Sequence, residues 1–185
     1  MQKNVLQAIN INASLISGRE ILKLMAILWK PQGCSIDVPL MREKRTGHVN
    51  LMTKDNWLWR KLYDAARSVQ NSRKISDYVE AGGVAAAILS SSGRIYTGVC
   101  VDTCLIHGIC AERNAIFNML TNGEQEICKV LAVMPNGKTG APCGACRELR
   151  VQLILAAYKD IEIMLDYEQE KAVTLGELTP EWWIG

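Results

Sequence analysis

The sequence has little net charge and no long hydrophobic run. Its formal net charge is +2 over 185 residues, which argues against a nucleic-acid surface supplied by bulk charge, although a local basic patch is still compatible with it. The longest apolar run, LMAILW, is far shorter than the roughly 20 residues of a membrane-spanning helix. No internal repeat or low-complexity stretch is present. These absences predict a protein whose partners include neither a nucleic acid nor a membrane.

A secretory leader is also missing from the sequence as it stands. The first residues, MQKNVLQAININAS, show no basic segment followed by an apolar run and a small-residue cleavage site. We therefore expect a cytoplasmic protein, in which the seven cysteines are thiols or metal ligands rather than disulfides. Hydrophobic residues make up 49% of the chain, which is a globular composition with enough apolar surface for a sizeable core.

The chain divides into two regions of different character. Residues 1–51 carry one short amphipathic stretch, REILKLMAILWK, and then a segment with prolines and glycines but no strong period. We interpret them as an N-terminal extension of weak structure. Residues 52–185 are predicted to form one domain, because helical and strand patterns alternate through them in the order α-β-β-α-β-α-β-β. Such alternation predicts an α/β fold in which helices cover the faces of a sheet.

Three cysteines lie where two predicted helices begin. Cys143 and Cys146 are three residues apart, so they share one face of a helix and form a common zinc half-site. Pro142 favours an abrupt helix start, and the positive end of that helix favours the thiolate form of the cysteines. Cys110 supplies a third sulfur from the start of the other predicted helix. The sequence therefore predicts a Zn²⁺ site with three sulfur ligands.

The fourth ligand distinguishes a structural zinc site from a catalytic one. A structural site is closed by a fourth protein ligand, whereas a catalytic site keeps that position for water. His107, three residues before Cys110, has the spacing that would close a structural Cys3His site. Glu112 favours the catalytic alternative, since hydrolysis needs a group that takes a proton from water and passes it to the leaving group. That role requires Cys110 to sit at the very start of its helix, because side chains two residues apart inside a helix do not face each other.

Arg113 lies three residues after Cys110, on the same helical face. Three thiolates donate so much charge that they weaken zinc as a Lewis acid, and hydrogen bonds from a guanidinium would withdraw part of that charge. The alternative for a lone arginine on a helix is a solvated surface position.

The segments CAE and PCGAC together resemble the zinc-dependent cytidine deaminases. Three cysteine ligands are typical of the small cytidine deaminases and the blasticidin-S deaminases. The resemblance runs from about residue 56 to residue 183, and it includes GVAAAILSSSGRIYTGV, which is similar to the family's first hairpin, and GELTPEWW, which is similar to its C-terminal segment. It implies a three-layer α/β/α fold with a central mixed sheet of about five strands.

The resemblance also implies roles for individual residues. Cys110, Cys143 and Cys146 would bind Zn²⁺, Glu112 would be the catalytic proton shuttle, and the backbone between Ala111 and Glu112 would help to orient the base. The implied reaction is hydrolytic deamination of a free cytosine nucleoside to the uracil form with release of ammonia, a hydrolase activity of nucleoside metabolism and pyrimidine salvage. A non-enzymatic zinc module closed by a histidine stays open as an alternative, and deamination of a base within RNA or DNA is the weakest one.

Two positions depart from the family pattern. Where cytidine deaminases carry an Asn-x-Glu pair that grips the ribose, this chain has Cys100-Val101-Asp102. Gly82 stands where the family has an aromatic residue near the pyrimidine, so we expect more room beside the ring. Cys100 and Asp102 are therefore predicted substrate contacts of an altered sugar-side pocket. The expected substrate is cytidine or deoxycytidine, or a modified analogue such as blasticidin S.

The C-terminal segment PEWW predicts contacts between subunits. Trp182 and Trp183 stand where small cytidine deaminases carry an aromatic residue that reaches an adjacent pocket. We expect a homotetramer, or a homodimer, with these side chains near a neighbour's site. The alternative is that both tryptophans seal the edge of their own core.

Overall fold

The computed structural model describes residues 42–45, 48–51, 53–154 and 157–183. Most of the predicted extension, residues 1–51, lies outside the described residues. Within it, strands β1 (Arg42–Arg45) and β2 (His48–Leu51) pair as an antiparallel hairpin in a two-stranded sheet of their own.

Helices and strands alternate through the rest of the chain. In order they are α1 (Lys54–Val69), β3 (Arg73–Ser76), β4 (Val79–Ser90), β5 (Ile95–Thr103), α2 (Ala111–Thr121), β6 (Ile127–Val133), α3 (Gly144–Leu153), a 3₁₀ turn (Tyr158–Asp160), β7 (Glu162–Asp166), β8 (Lys171–Thr174) and the one-turn helix α4 (Leu175–Leu178). The α/β class is confirmed, and the predicted elements occur in the predicted order, with one additional strand, β3, and one additional short helix, α4. In the described residues, no helix is long and apolar enough to cross a membrane.

The main sheet is mixed and has six strands. Five lie side by side in the order β5-β4-β6-β7-β8, and all neighbours are antiparallel except β6 and β7, which are parallel. The sixth strand, β3, pairs with the first residues of β4, and β6 pairs with the later residues of β4 on the same side. The sequence prediction of about five strands missed β3, because all four of its residues are exposed and show no alternation.

Alternate side chains of β4 face two different helical layers. Ala85, Ala87 and Leu89 belong to the core beneath α1, where Leu62 is fully buried. The intervening Ile88 packs on the opposite face with residues of α2. The sheet is thus enclosed between helices on both faces, which is the expected three-layer arrangement. Truncating a side chain as buried as Leu62 to alanine typically costs about 2–5 kcal/mol.

Helix α2 lies unusually close to strand β5. A Cβ atom at Gly98 would sit 2.3 Å from the backbone nitrogen of Ala115, so only glycine permits the approach. Two amide side chains of α2, Asn114 and Asn118, donate to the carbonyl oxygens of Val99 and Thr97 at 2.9 and 3.1 Å. These bonds satisfy acceptors on an outer strand of the sheet and fix the start of α2 against it.

Helix α3 is shorter than the sequence pattern predicts. The pattern favours a helix from Pro142 into the segment LAAYK, whereas α3 ends at Leu153. Ile154 has left the helical region, with φ −131° and ψ 59°. Its amide still bonds to the carbonyl oxygen of Arg150, so the last turn closes there.

Candidate active site

Two helix starts bring the three predicted zinc ligands together. Cys110 is the N-cap of α2 and Cys143 is the N-cap of α3, and both have extended backbone angles, with φ −67° in each case. Cys146 follows in the first turn of α3, and its N–H donates to the carbonyl oxygen of Cys143 at 3.1 Å. Because Cys110 precedes the helix rather than lying within it, its side chain and that of Glu112 can reach the same site.

The three sulfur atoms form a compact cluster. The Sγ atoms of Cys110 and Cys143 are 3.5 Å apart, and those of Cys143 and Cys146 are 3.4 Å apart. A tetrahedral zinc with bonds of about 2.3 Å places neighbouring sulfurs about 3.8 Å apart. The cluster is a few tenths of an ångström tighter than that arrangement, and all three sulfurs are soft ligands that zinc prefers. The donor set therefore fits a zinc ion.

No fourth protein ligand joins the cluster in the part of the chain that the structure describes. The group that could hold a metal consists of Cys110, Cys143 and Cys146, and neither His107 nor Glu112 is part of it. The side chain of His107 is exposed. Three protein ligands with a free fourth position are characteristic of catalytic zinc sites rather than structural ones.

The cysteines differ in how readily they ionise. Burial raises the pKa of the Cys110 and Cys146 thiols above their usual value. Burial acts in the same direction on Cys143, but the backbone N–H of Cys146 and hydrogen bonds with the other two thiols outweigh it and lower the pKa of Cys143. Cys143 is thus the first thiolate of the cluster, and a bound cation would favour ionisation of the others.

Glu112 lies beside the cluster without being one of its ligands. It is buried, and its Oε2 atom is 3.5 Å from the Cys146 sulfur. Arg113 lies on the other side, where its Nη2 atom donates to the Cys110 sulfur at 3.9 Å. This hydrogen bond raises the pKa of Arg113, so the guanidinium stays charged next to the sulfurs.

Arg150 completes the surroundings of Glu112, and the sequence reasoning missed it. It lies on α3, one turn after Cys146, and is fully buried. Its Nη1 atom donates to the carbonyl oxygen of Cys146 at 3.3 Å, and its Nη2 atom is 3.9 Å from Oε1 of Glu112. The spacing of four residues from a predicted zinc ligand is the signal that could have found it, because residues i and i+4 share a helical face.

A cleft of about 280 Å³ opens over this cluster. Its walls include the zinc-site residues Cys110, Glu112, Arg113 and Cys143, together with Ala111, Val84 and Met134 and the two predicted substrate contacts, Cys100 and Asp102. The volume lies near the lower end of small-molecule sites, which are typically about 300–1,000 Å³. The predicted sugar-side residues and the predicted chemical residues thus line one cleft.

Cys100 links the sugar-side wall to the sheet. Its sulfur accepts a hydrogen bond from the backbone N–H of Val84 at 3.2 Å and donates to Oδ2 of Asp102 at 3.2 Å. Cys100 is buried, and burial raises the pKa of its thiol, so it remains a neutral donor. Asp102 is exposed in the single chain, and Cys100 orients it toward the cleft.

Comparison with known proteins agrees with this geometry. The sequence model of the "Cytidine and deoxycytidylate deaminase zinc-binding region" matches residues 52–159, which is more than half of the chain. The chain belongs to the cytidine deaminase family. Cytidine deaminase of Halalkalibacterium halodurans is 30% identical over 101 residues, which cover 52% of this chain and 74% of the relative.

Solved structures of cytidine deaminases share the fold. The enzyme from Mycobacterium leprae has a TM-score of 0.54 and 27% sequence identity over 66% of this chain and 98% of its own. The enzyme from Burkholderia pseudomallei has a TM-score of 0.51 and 25% identity over 70% of this chain and 98% of its own. The α/β fold of this family member and its predicted three-cysteine cluster therefore agree with the family assignment.

Gly82 is subject to a backbone constraint. It lies within β4 at φ +81°, and a Cβ atom there would be 2.0 Å from the carbonyl oxygen of Asn71. It is not among the residues that line the cleft over the cysteines. The left-handed conformation of Gly82 occurs where the pairing of β4 and β5 shifts register between Ala81 and Ala85. The expected extra room beside the ring stays a prediction.

The two C-terminal tryptophans differ in their surroundings. Trp182 is half-buried and packs against the core cluster between the sheet and α2. Trp183 is 71% exposed. Trp182 thus contacts the core of its own chain, whereas the side chain of Trp183 is largely exposed.

Proposed function

We propose that the protein is a hydrolase that deaminates a free cytosine nucleoside to its uracil form and releases ammonia. One observation supports this most strongly. Three sulfurs of a zinc site lie together with the buried carboxylate of Glu112, and Cys110, Cys143 and Glu112 line a cleft of small-molecule size. No fourth protein ligand closes the cluster among the described residues.

Cys110, Cys143 and Cys146 would hold the zinc ion. When bound, zinc would supply the Lewis acid that makes water acidic enough to attack at neutral pH. The two helix starts fix the cysteines before the ion arrives, since each N-cap cysteine accepts backbone hydrogen bonds from the first turn of its own helix.

Glu112 is the proton carrier of the proposed reaction. Its carboxylate is buried beside the cluster and faces the cleft, so it can take a proton from the attacking water and deliver it to the departing amino group. Among the described residues, the lining of this cleft has one other carboxylate, that of Asp102, which lies beside Cys100. We therefore assign both proton transfers to Glu112.

Arg113 tunes the sulfur ligands rather than the substrate. Its guanidinium approaches Cys110, and the hydrogen bond draws charge away from that sulfur. A less electron-rich ligand set leaves the metal a stronger Lewis acid. This is the role that the spacing of Cys110 and Arg113 predicts.

Asp102 and Cys100 are proposed to contact the sugar side of the substrate, and the backbone at Ala111 to orient the base. A carboxylate that accepts hydrogen bonds from hydroxyl groups discriminates strongly against substrates that lack them. Asp102 has a shorter side chain than the glutamate of the family pattern, and one of its oxygens already accepts a hydrogen bond from Cys100. Its capacity to accept hydrogen bonds from a ribose is therefore reduced. A modified cytosine nucleoside such as blasticidin S is therefore the second candidate substrate.

A panel of substrates tests the proposal. Purified protein is incubated with cytidine, deoxycytidine, cytosine and blasticidin S, and ammonia release is followed for each. We expect turnover of at least one nucleoside, a rate lower by about 10²–10⁴-fold for a Glu112→Gln variant, and no turnover of the free base. Absence of ammonia from every substrate, by protein shown to contain zinc, would contradict the proposed function.

We also propose that the protein is a cytoplasmic homotetramer or homodimer. Phe117 and Leu120 are exposed apolar side chains one turn apart on α2. Trp183, near the C-terminus, is exposed as well. Exposed apolar side chains of this size favour an interface. Light scattering of the purified protein decides the point, and a monomer at working concentration would exclude it.

A further inference from the structure

Arg150 is a buried cation without a close carboxylate. Lys129, which is also buried, shows the usual solution: its Nζ atom is 2.6 Å from Oδ1 of Asp55 and 2.7 Å from Oε1 of Glu162. The guanidinium of Arg150 is fully buried, yet its one charged neighbour at ion-pair distance in the described residues is Glu112, at 3.9 Å. Its Nε and Nη2 atoms make no hydrogen bond within the described part of the chain.

A buried guanidinium is costly unless opposite charge compensates it. The negative groups around Arg150 are Glu112 and the cysteine cluster, in which Cys146 lies one helical turn away. Arginine remains protonated in proteins, so Arg150 places a full positive charge under the floor of the cleft. Its position is consistent with a role toward the site and not toward a separate structural ion pair.

The formal charges of a zinc-loaded site sum to zero when the charge of Arg150 is included. In a zinc-loaded site, three thiolates and the Glu112 carboxylate would carry four negative charges, of which the ion would compensate two. Arg113, next to Cys110, and Arg150, next to Glu112, supply the remaining two. Without Arg150 the buried side of the site would carry an uncompensated negative charge.

We propose, on the basis of the function proposed above, that Arg150 is a positioning residue that holds the Glu112 carboxylate at the cleft floor. Oε1 of Glu112 faces Arg150, while Oε2 faces the Cys146 sulfur. The Cys146 thiol donates to that oxygen at 3.5 Å, and this donor would be lost if the sulfur bound a metal ion as a thiolate. The attraction of Arg150 would then keep Glu112 beside the cluster.

A double-mutant cycle on stability tests the pairing without using activity. Thermal or denaturant unfolding is measured for zinc-loaded protein, for Arg150→Met, for Glu112→Gln and for the double variant. We expect Arg150→Met to be much less destabilising when Glu112→Gln is also present, with a coupling of about tenfold in the unfolding equilibrium constant. Equal destabilisation in the two backgrounds would overturn the proposal, since a purely structural arginine does not depend on Glu112.

Arg147 provides the matched control. It lies on the same helix and donates to the carbonyl oxygens of Pro142 and Leu178 at 3.0 and 3.2 Å, with no carboxylate among these partners. Arg147→Met should destabilise the protein equally with and without Glu112→Gln. If Arg150→Met does not fold, Arg150→Lys replaces it in the cycle, and absence of coupling there would also overturn the proposal.

Kinetics add a second readout if the deaminase activity is found. Arg150 is not among the residues that line the cleft, so Arg150→Met should lower kcat at least tenfold and change KM by less than about twofold. Arg150→Lys keeps the charge and should recover part of kcat. A loss confined to KM, or no advantage of lysine over methionine, would refute the positioning role. Failure of every substrate would refute the proposed function alone, because the unfolding cycle does not depend on turnover.

Discussion

Replacing Glu112 with glutamine separates proton transfer from metal binding. The amide has the shape of the carboxylate, and its oxygen can face Arg150 while its NH₂ group donates to the Cys146 sulfur, 3.5 Å from the present Oε2 position. Glu112 is not one of the three residues of the sulfur cluster, so zinc content and fold should survive. The amide cannot accept a proton, however, and both proton transfers assigned to Glu112 are lost.

The expected loss follows from the role of one general acid–base group. Positioned proton transfer contributes about 10²–10⁴-fold to a rate, and at about 1.36 kcal/mol for each tenfold this raises the barrier by about 2.7–5.4 kcal/mol. Because Glu112 serves two steps, we expect the upper part of that range in kcat, with little change in KM.

Ammonia release from the best nucleoside is the assay, with zinc content and circular dichroism measured on the same samples. Glu168→Gln, an exposed residue in the turn between β7 and β8, is the control for the chemical change alone and should behave as the unaltered protein. A Glu112→Gln protein that retains a tenth of the activity would refute the assignment.

Three further predictions follow from the site and the domain boundary. Metal analysis should find one zinc per chain, lost in Cys110→Ser but kept in His107→Ala, because His107 is exposed and outside the sulfur cluster; loss of zinc from His107→Ala would restore the structural alternative. Asp102→Ala should raise KM for the nucleoside about tenfold or more with unchanged zinc content, because a substrate hydroxyl left without its hydrogen-bond partner loses binding free energy of that size. Unchanged kinetics would show that Asp102 does not contact the sugar. Protein that begins at Met52 should fold and retain activity, because the family match begins there; loss of folding or of activity would show that residues 1–51 belong to the domain.

Much of the fold and site could be predicted from local patterns. A short apolar run located β4, alternation after a turn located β5, and the cysteine spacing located the helix starts that form the sulfur cluster. Strand β3 could not be found this way, because its four exposed residues carry no period, and its place depends on pairing with β4. The one-turn helix α4 was also missed. Thr174 and Glu177 form a capping box there, and the sequence TLGE has the spacing of that motif.

Arg150 and Gly82 escaped the sequence reasoning for a different reason. A charged residue on a helix is usually solvated, so nothing in α3 alone indicates that Arg150 is fully buried against Glu112 of another helix. Gly82 was compared with the side chain that the family carries, whereas its conformation is imposed by the backbone of Asn71. Both depend on contacts between segments that are distant in sequence, which local patterns do not record.

The two arginines suggest how a site with three cysteines remains compatible with a buried carboxylate. Each arginine is tied to a ligand by helical spacing: Arg113 follows Cys110 by three residues, and Arg150 follows Cys146 by four. Each helix therefore brings its own sulfur ligand and its own countercharge to the same point. Arg113 contacts a sulfur at the cleft wall, whereas Arg150 lies beneath the floor, where water would not screen the repulsion between Glu112 and a metal-bound Cys146 thiolate. The buried arginine thus lies where a countercharge is most needed. The Cys146 thiol donates to Glu112 at 3.5 Å, and in the thiolate form that donor would be lost, so the two negative groups would need a third charge to stay together.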